Sequence, residues 1–287
     1  MSLLSPQLLA FMSVAQYKSV HGAASAIHIT QTAVTQRIHT LEAKLATTLF
    51  IRTRRGMILT PEGEALLRYC HTVNVLEGEA LATIKGAGIE TDILFCITGP
   101  SSIMHARIIP QCFSVIKKFP RLLLQFDIND FENRMHSLRL GESQLAVIRE
   151  EDITPEMKYK ILKPERYVLV CTSSWKKRTL KMILESEHIV DYDPQDRMTF
   201  QYLKHFGLFD FANHERHFAN RTDALAMMLI EGYGYGVLTE EFSKPYLQQK
   251  QLILLNAGKI YETSMALAWY PRPQLPKYFS SLIDAIE

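Results

Sequence analysis

The sequence predicts an α/β protein with a helical head at its N-terminus and two α/β lobes behind it. Three patterns support this fold class: helical periodicity with a short hairpin over the first 60 residues, a long apolar stripe after it, and strand-like apolar runs that alternate with helices thereafter. The 287 residues are 47% hydrophobic, which is enough for two or three domains to bury a core each.

Three short helices are predicted in the head. The first begins at Ser5 and Pro6, a candidate N-cap and first turn, and the second covers about 20–28, where alanines allow helices to cross closely. The third follows Thr30, another candidate N-cap, and has one apolar and one polar face. The apolar face carries Val34, Ile38, Leu41 and Leu45, and the polar face carries Thr32, Thr35, Gln36 and His39.

A small hairpin and a long helix follow. The stretch TLFIRTRRGMILTPEG places apolar residues around an Arg-Arg-Gly turn, which predicts a two-stranded wing that ends at Pro61. The next helix runs from Glu62 to about Lys85, and its apolar stripe is too long for the head alone to bury. We therefore expect it to pack against a second copy of the chain. The stripe consists of Leu66, Tyr69, Val73, Leu76 and Ala80.

The remaining sequence predicts two α/β lobes. Gly86 and Gly88 break the long helix, and strand-like runs then alternate with helices, which predicts parallel α/β layers. The last run returns the chain to the first set of strands. Two lobes joined by a crossing chain form a cleft, where small ligands commonly bind. The runs are ILFCIT, LLLQFDI, LAVI, YVLVC, HIVDY, GVL and SMALAWY.

These patterns divide the chain into a head at 1–60, a linker helix at 61–89 and a C-terminal domain at 90–287. Within the last, lobe I covers about 90–162 and 267–287, and lobe II covers about 163–266.

Basic residues concentrate in one part of the head. The net charge of the whole chain is only +2, so its overall balance does not indicate a polyanionic partner. Residues 31–60, however, contain five basic residues and one acid, Glu42, which gives a local net charge of +4. This basic patch indicates a nucleic-acid partner. The basic residues are Arg37, Lys44, Arg52, Arg54 and Arg55.

Several other classes of protein lack support in the sequence. The four cysteines are far apart without a CxxC pair, so we expect reduced core thiols and neither a zinc ribbon nor a redox motif. The start, MSLLSPQLLAFMSVAQ, has no basic n-region or long apolar segment, and no apolar run is long enough to span a membrane. A cytoplasmic, soluble protein without metal or other cofactor is expected.

A polar helix face beside a basic hairpin predicts DNA binding. Short polar side chains on the third helix can hydrogen bond to base edges in the major groove, and Arg37 at the edge of that face can pair with phosphate or guanine. The hairpin can reach the DNA backbone or a minor groove through Arg52, Arg54 and Arg55. Each feature alone also fits ordinary solvated surface, but their occurrence together in this order favours DNA.

The segment FMSVAQYKSVHGAASAIHITQTAVTQRIHTLEAKLATTLFIRTRRGMILTPEGEALL resembles the head of LysR-type transcriptional regulators over its full length. The resemblance continues through LRLGESQLAVI and EGYGYGVL, and ITQTAVTQRI is similar to the branch that controls basic amino-acid export. This chain departs from the family at the Val20-His21 pair and at Ala46, where glycine is common. The matching positions are Ala23-Ala24, Gln31, Ala33-Val34, Thr35, Ile38, Leu41-Glu42, Leu49-Phe50, Arg52, Leu59-Thr60 and Gly63.

The resemblance implies a winged helix-turn-helix, a dimerising linker helix, two lobes of periplasmic-binding-protein type, and usually a homotetramer bound to a promoter. It also implies an effector in the cleft between the lobes and RNA polymerase as a further partner. Carried over to this chain, base contacts fall on Gln31, Thr32, Thr35 and Gln36, and backbone or groove contacts fall on Arg37, Arg52 and Arg54, to which the wing adds Arg55.

The effector positions implied by the resemblance carry both hydroxyl and charged groups. The serines suit a carboxylate and the acids suit an amine, so an amino acid or small carboxylate is expected. Other roles remain open, because the serines could cap a helix, Thr222 or Asp223 could cap the helix that follows, and Arg149 could pair with Glu150 or Glu165. The positions are Ser101, Ser102, Asp130, Arg149, Asp191, Asp196 and Thr222.

Three rival classes of protein fit the sequence less well. An enzyme is disfavoured because the sequence has no GxSxG, HExxH or Cys-His signature. An architectural DNA-binding protein would leave nearly two hundred residues of α/β lobes without a task, and a steep salt dependence with little sequence preference would mark it. A stand-alone solute-binding protein would carry an export signal.

Overall fold

The computed structural model describes residues 4–54, 56–84, 92–128, 133–272 and 274–287. Two predicted site residues, Arg55 and Asp130, lie outside the described residues, as do Gly86 and Gly88. In the head, the three predicted helices and the hairpin are confirmed. They are α1 (Pro6–Tyr17), α2 (Val20–Ala26), α3 (Gln31–Leu45), β1 (Phe50–Thr53) and β2 (Gly56–Leu59).

Each head helix begins at a hydroxyl cap. The side-chain oxygen of Ser5 accepts a hydrogen bond from the Leu8 amide at 3.3 Å, and that of Thr30 accepts one from the Ala33 amide at 3.1 Å. Both predicted N-caps are therefore confirmed. Ser19 caps α2 in the same way. These bonds satisfy backbone donors that have no partner within the helix.

The head core lies between α1, α2, α3 and the hairpin. Phe11, Ala23 and Val34 are completely buried, and the Phe11 ring packs against Phe50 with the ring centroids 5.3 Å apart. The predicted apolar face of α3 is buried except for Leu45, which is 44% exposed. Leu45 escapes burial because α3 ends there.

A long helix, α4 (Pro61–Ile84), connects the head to the lobes. Its beginning belongs to the head core, where Leu67 and Cys70 are buried. Two members of the predicted apolar stripe remain uncovered, since Tyr69 is 56% and Leu76 46% exposed. A single chain thus leaves part of this stripe in water, as the sequence predicted.

Lobe I begins with a strand-helix alternation. Residues 101–118 form one helical stretch that is interrupted by a π-helical turn at Met104–Ile108. The elements are β3 (Ile93–Gly99), α5 (Ser101–Ile103), α6 (Ile109–Lys118), β4 (Leu122–Ile128), α7 (Asn133–Leu140), β5 (Leu145–Arg149) and β6 (Lys158–Ile161).

The chain then crosses into lobe II and returns. Lobe II contains β7 (Glu165–Thr172), α8 (Leu180–Ser186), β8 (Ile189–Asp191), α9 (Met198–His205), β9 (Arg216–Phe218), α10 (Thr222–Ile230), β10 (Tyr235–Thr239), α11 (Glu240–Gln248), β11 (Leu252–Leu254) and β12 (Ile260–Thr263). The chain closes with β13 (Met265–Trp269) and α12 (Lys277–Ala285) back in lobe I.

Each lobe is built on one mixed sheet. The five strands of lobe I have the order β4-β3-β5-β13-β6, and lobe II has the order β11-β7-β10-β8-β9 with β12 also paired to β7. The prediction of parallel layers is correct for β3 with β4 and β5 and for β8 with β9 and β10. However, β13 is antiparallel to β5, and β7 is antiparallel to β10. Both antiparallel strands enter from the other lobe, so no helical crossover imposes a parallel direction on them. The predicted return of SMALAWY to the first sheet is confirmed.

The four cysteines are buried and unpaired, as the sequence predicted. Burial raises the pKa of the Cys112 and Cys171 thiols to about 12, which keeps them protonated and unreactive at neutral pH. Within the described residues, no helix is long and apolar enough to cross a membrane.

Candidate nucleic-acid interface and ligand cavity

The polar face of α3 is exposed as the sequence predicted. Gln31, Thr32, Thr35 and Gln36 all face solvent in the first two turns of the helix, and Arg37 beside them is partly exposed. The position of α3 is fixed from behind by its buried face. The arrangement presents short polar side chains on a rigid support, which suits contact with base edges.

Hydrogen bonds within the head determine which donors and acceptors on this face remain available to DNA. The Thr35 hydroxyl donates to the Gln31 carbonyl oxygen at 2.9 Å, so outward it presents acceptor lone pairs and a methyl group. The side-chain amide of Gln31 is also engaged, since its Nε2 atom lies 3.1 Å from Nδ1 of His21 on α2. At Gln36 the corresponding bond involves the backbone, since its carbonyl oxygen accepts from the Thr40 hydroxyl at 2.8 Å.

The hairpin is held to the rest of the head by backbone contacts. The Met57 amide donates to the Lys18 carbonyl oxygen at 2.8 Å, and a side chain at Gly56 would collide with that same oxygen. The Glu42 carboxylate of α3 accepts from the Leu49 amide at 2.8 Å. These contacts fix the hairpin relative to α3, and Arg52 and Arg54 are exposed on it.

A cavity of about 560 Å³ lies between the two lobes. Four of the seven predicted effector residues line it. Ser101 and Asp191 are not among the lining residues, and Asp130 lies outside the described residues. The four lining residues are Ser102, Arg149, Asp196 and Thr222.

The cavity wall carries both signs of charge. Three arginines and three acids line it, so a ligand with both an anionic and a cationic group finds partners for each. Among the described residues, no group of three or more His, Cys, Asp or Glu side chains is placed to hold a metal ion. The charged lining residues are Arg134, Arg139, Arg149, Asp152, Glu165 and Asp196.

Glu165 is one of the lining residues whose place at the cavity the sequence did not reveal. It is the first residue of β7, directly after the crossing between lobes, and it is only 2% exposed. Ser102 donates to one of its carboxylate oxygens at 2.7 Å and Tyr167 to the other at 3.1 Å. Burial raises the pKa of Glu165, and the two hydrogen bonds oppose that rise.

Asp191 has a structural partner instead of a place in the cavity. Its carboxylate is 2% exposed and lies 3.0 Å from Nη1 of Arg216. Burial raises the pKa of Asp191 to about 6. The same guanidinium donates to the carbonyl oxygens of Pro194 and Asp196, both at 2.8 Å. Asp191 therefore acts through Arg216 to hold the loop that brings Asp196 to the cavity.

A hydrogen bond between two hydroxyl groups joins the lobes. Ser101 Oγ of lobe I lies 2.7 Å from Thr222 Oγ1 of lobe II. Neither hydroxyl caps its own helix, where Pro100 and Arg221 occupy the cap positions without a side-chain hydrogen bond. The capping role left open for these residues is therefore wrong.

The structure also identifies the partners of Arg149 and Ser102, for which the sequence left other roles open. Arg149 pairs with Glu151 at 3.2 Å, and neither with Glu150 nor with Glu165. Ser102 donates its hydroxyl to Glu165 instead of capping α5.

Helix α7 contacts both the cavity and the long helix α4. Its residues Arg134, Met135 and Arg139 line the cavity. On the other side, Arg68 of α4 donates to the Arg139 carbonyl oxygen at 2.7 Å. Leu140 at the end of α7 is buried in the head core. One helix thus connects the ligand cavity with the head.

Comparison with known proteins agrees with both halves of this architecture. The model of the bacterial regulatory helix-turn-helix protein, lysR family, matches residues 6–64, and that of the LysR substrate binding domain matches residues 94–287. YofA of Bacillus velezensis is 37% identical over 127 residues, which cover 44% of this chain and 43% of that regulator. ArgP of Aeromonas salmonicida is 25% identical over 269 residues, which cover 92% of this chain and 88% of that regulator.

Solved structures show the same fold over nearly the whole chain. ArgP from Mycobacterium tuberculosis has a TM-score of 0.80 at 23% identity and covers 99% of this chain and 96% of its own. LysG from Corynebacterium glutamicum with bound effector Arg has a TM-score of 0.75 at 21% identity, with the same coverage. The recurrence of ArgP and LysG supports the resemblance to the branch that controls basic amino-acid export.

The relatives are transcriptional regulators, which confirms the prediction that this chain is a regulator and agrees with the rejection of an enzyme. The two family models together match residues from both the head and the lobes. The chain belongs to the LysR family of bacterial transcriptional regulators.

Proposed function

We propose that this LysR-family protein binds promoter DNA through α3 and the β1–β2 hairpin, and that a cationic amino acid in the interlobe cavity modulates this binding. Such a role places the protein in the cytoplasm. Base contacts are assigned to Gln31, Thr32, Thr35 and Gln36, and backbone or groove contacts to Arg37, Arg52, Arg54 and Arg55.

The observation that carries the effector class is the position of Glu165. A carboxylate at the cavity wall that is 2% exposed gains most from a cationic partner, because little water competes for it. Arg134 and Arg149 line the same cavity and suit the α-carboxylate of an amino acid. The LysG neighbour that holds Arg as its effector supports the same class of ligand.

Four predicted effector positions lie on opposite sides of the cavity and, with Glu165, can contact the same ligand. Ser102 and Arg149 lie on the lobe I side of the cavity, while Asp196 and Thr222 lie on the lobe II side. A ligand that contacts both sides favours the closed arrangement of the lobes. It shifts the equilibrium by the difference between its affinities for the two arrangements.

Helix α7 is the proposed route from the cavity to the head. A ligand that pulls on Arg134 or Arg139 displaces a helix that is also bonded to Arg68 of α4. Because Leu140 is packed in the head core, such a displacement reaches the DNA-binding elements without passing through solvent.

Assembly completes the proposed function. The exposed Tyr69 and Leu76 on α4 support pairing with a second copy of the chain, and two such dimers would form the homotetramer usual in the family. Two heads in one assembly read two half-sites, so ligand closure changes half-site spacing or DNA bend and with it the access of RNA polymerase.

A panel of related ligands tests the effector class. Thermal unfolding of the purified full chain is followed with L-arginine, L-lysine, L-citrulline, agmatine and succinate. Citrulline lacks the side-chain charge of arginine, and agmatine lacks its carboxylate. We expect stabilisation by arginine or lysine, about 2.7 kcal/mol at a ligand concentration 100 times Kd, and little by the others.

Two other outcomes would argue against this effector class or against the role of Glu165. Stabilisation by succinate but not by arginine or lysine would favour a small carboxylate effector. Equal stabilisation by arginine and citrulline would mean that Glu165 does not give the cavity a preference for a positively charged ligand side chain.

A further inference from the structure

The two helices of the helix-turn-helix are joined by a side-chain hydrogen bond. The Nε2 atom of Gln31, the first residue of α3, lies 3.1 Å from Nδ1 of His21 in the first turn of α2. An amide nitrogen can only donate, so Nδ1 is the acceptor and the neutral imidazole carries its proton on Nε2. Both side chains are exposed on the face proposed to meet DNA.

The backbone around this pair is well fixed. Ala23 and Ala24 of α2 are buried in the head core, and the Ile29 amide donates to the Ala24 carbonyl oxygen at 3.1 Å in the turn between the helices. Thr30 caps α3 immediately before Gln31. His21 therefore stands at a set position relative to Gln31, and its ring restricts a side chain that would otherwise sample many rotamers.

The anchored Gln31 amide still has one donor and one acceptor available for a base. One of the two Nε2 hydrogens of Gln31 is used by His21, and the other remains together with the Oε1 acceptor. A donor beside an acceptor on one amide matches the N7 acceptor and N6 donor of adenine in the major groove.

We propose that His21 is a positioning residue that presents the Gln31 amide to an adenine of the DNA site. The inference rests on the proposed base contact of Gln31. Because His21 preorganises the amide before binding, its removal affects discrimination among bases and leaves affinity for non-specific DNA unchanged.

Selection of binding sites from a random DNA pool tests the proposal. The full-length protein is compared with Gln31→Ala, His21→Ala and the double variant at fixed salt. Loss of Gln31 identifies the base position that it reads, and we expect adenine there in the site selected by the unaltered protein. His21→Ala should lower the adenine preference at that position by about 2- to 12-fold, and in the Gln31→Ala background it should change nothing.

Ser25→Ala provides the matched control. Ser25 is exposed on the same helix, and its hydroxyl donates to the His21 carbonyl oxygen and so leaves the imidazole untouched. This variant should select the same site as the unaltered protein, and its thermal unfolding midpoint and that of His21→Ala should match the parent.

Three results would overturn the proposal. If His21→Ala weakens binding equally in the presence and absence of Gln31, the imidazole contacts DNA itself. If His21→Ala keeps the full adenine preference, the inference fails and the Gln31 contact stands. If Gln31→Ala changes no base preference, both the contact and the role of His21 are refuted.

Discussion

The guanidinium carbon of Arg68 lies 3.7 Å from the centroid of the Tyr270 ring. Arg68 belongs to α4, and Tyr270 directly follows β13 in lobe I. The same arginine donates to the Arg139 carbonyl oxygen on α7, and a side chain at Gly141 would press against its backbone. Arg68 therefore joins the long helix to the lobe at the helix that lines the ligand cavity.

Replacing Arg68 should separate ligand binding from DNA binding. We expect Arg68→Ala to bind the effector with an affinity within about twofold of the parent, because Arg68 is not among the lining residues, and to lose most of the ligand-induced change in DNA affinity. Titration of fluorescent promoter DNA with and without L-arginine measures the change. Arg68→Lys keeps the charge without the planar guanidinium and should retain part of the response. An unchanged response in Arg68→Ala would rule out this route.

Ala46 is a site where glycine should stabilise the protein. Ala46 caps the C-terminus of α3 with φ 52° and ψ 36°, a left-handed conformation that costs an L-residue with a Cβ atom about 1 kcal/mol. Ala46→Gly should therefore raise the free energy of unfolding by about that amount. The matched control is Ala43→Gly, which lies inside α3 on an exposed turn and should lower it by about 1 kcal/mol. Urea denaturation measures the free energy of unfolding of both variants. An equal loss of stability in both would contradict the assignment of backbone strain to Ala46.

The elements that the sequence predicted well are those set by local chemistry. Ser5 and Thr30 are hydroxyl residues placed directly before helical periodicity, and both cap their helices. Ala46 also stood out in the sequence as a departure from a common glycine, and its left-handed backbone explains why glycine suits this position.

The features that the sequence did not reveal depend on residues far apart in the chain. Asp191 looked like a ligand contact, but its partner Arg216 is 25 positions away and belongs to a strand that pairs only in the folded lobe. The bond between Arg68 and Arg139 spans 71 positions. Glu165 is a single acid at a strand start, and only the approach of Ser102 from the other lobe makes it a buried carboxylate at a cavity wall.

Asp191 should make stability depend on pH in an unusual direction. Burial raises its pKa from 3.8 to about 6 in the folded protein, so the folded state holds this proton more tightly than the unfolded state does. The resulting stabilisation is fully present below pH 3.8 and is lost as the pH rises through about 6, by an amount on the order of 3 kcal/mol.

Comparison with Asp191→Asn isolates this contribution from those of other groups. The free energy of unfolding of the parent, minus that of the variant, should fall between pH 4 and pH 7 when both are measured by urea denaturation. A difference that rises over this range would mean that Arg216 holds the carboxylate ionised in the folded protein.

Glu165 should determine the charge preference of the cavity. Glu165→Gln keeps the size of the side chain and an acceptor for Ser102 but removes the negative charge. We expect the affinity for L-arginine or L-lysine to fall at least about tenfold, in line with the loss of a charge-assisted hydrogen bond in a buried site. Isothermal titration calorimetry measures it. Glu150→Gln, an exposed acid outside the lining of this cavity, is the control and should bind as the parent does, while equal losses in both variants would point to a long-range charge effect.

In the proposed function, one chain couples ligand binding in the cavity to sequence-specific DNA binding. Footprinting of the purified protein across genomic DNA, at fixed salt and with or without L-arginine and L-lysine, tests it most directly. We expect discrete protected sites with two-fold symmetry whose extent or bend changes when the amino acid is added. Uniform protection without sequence preference, or discrete sites that stay the same at saturating amino acid, would contradict it.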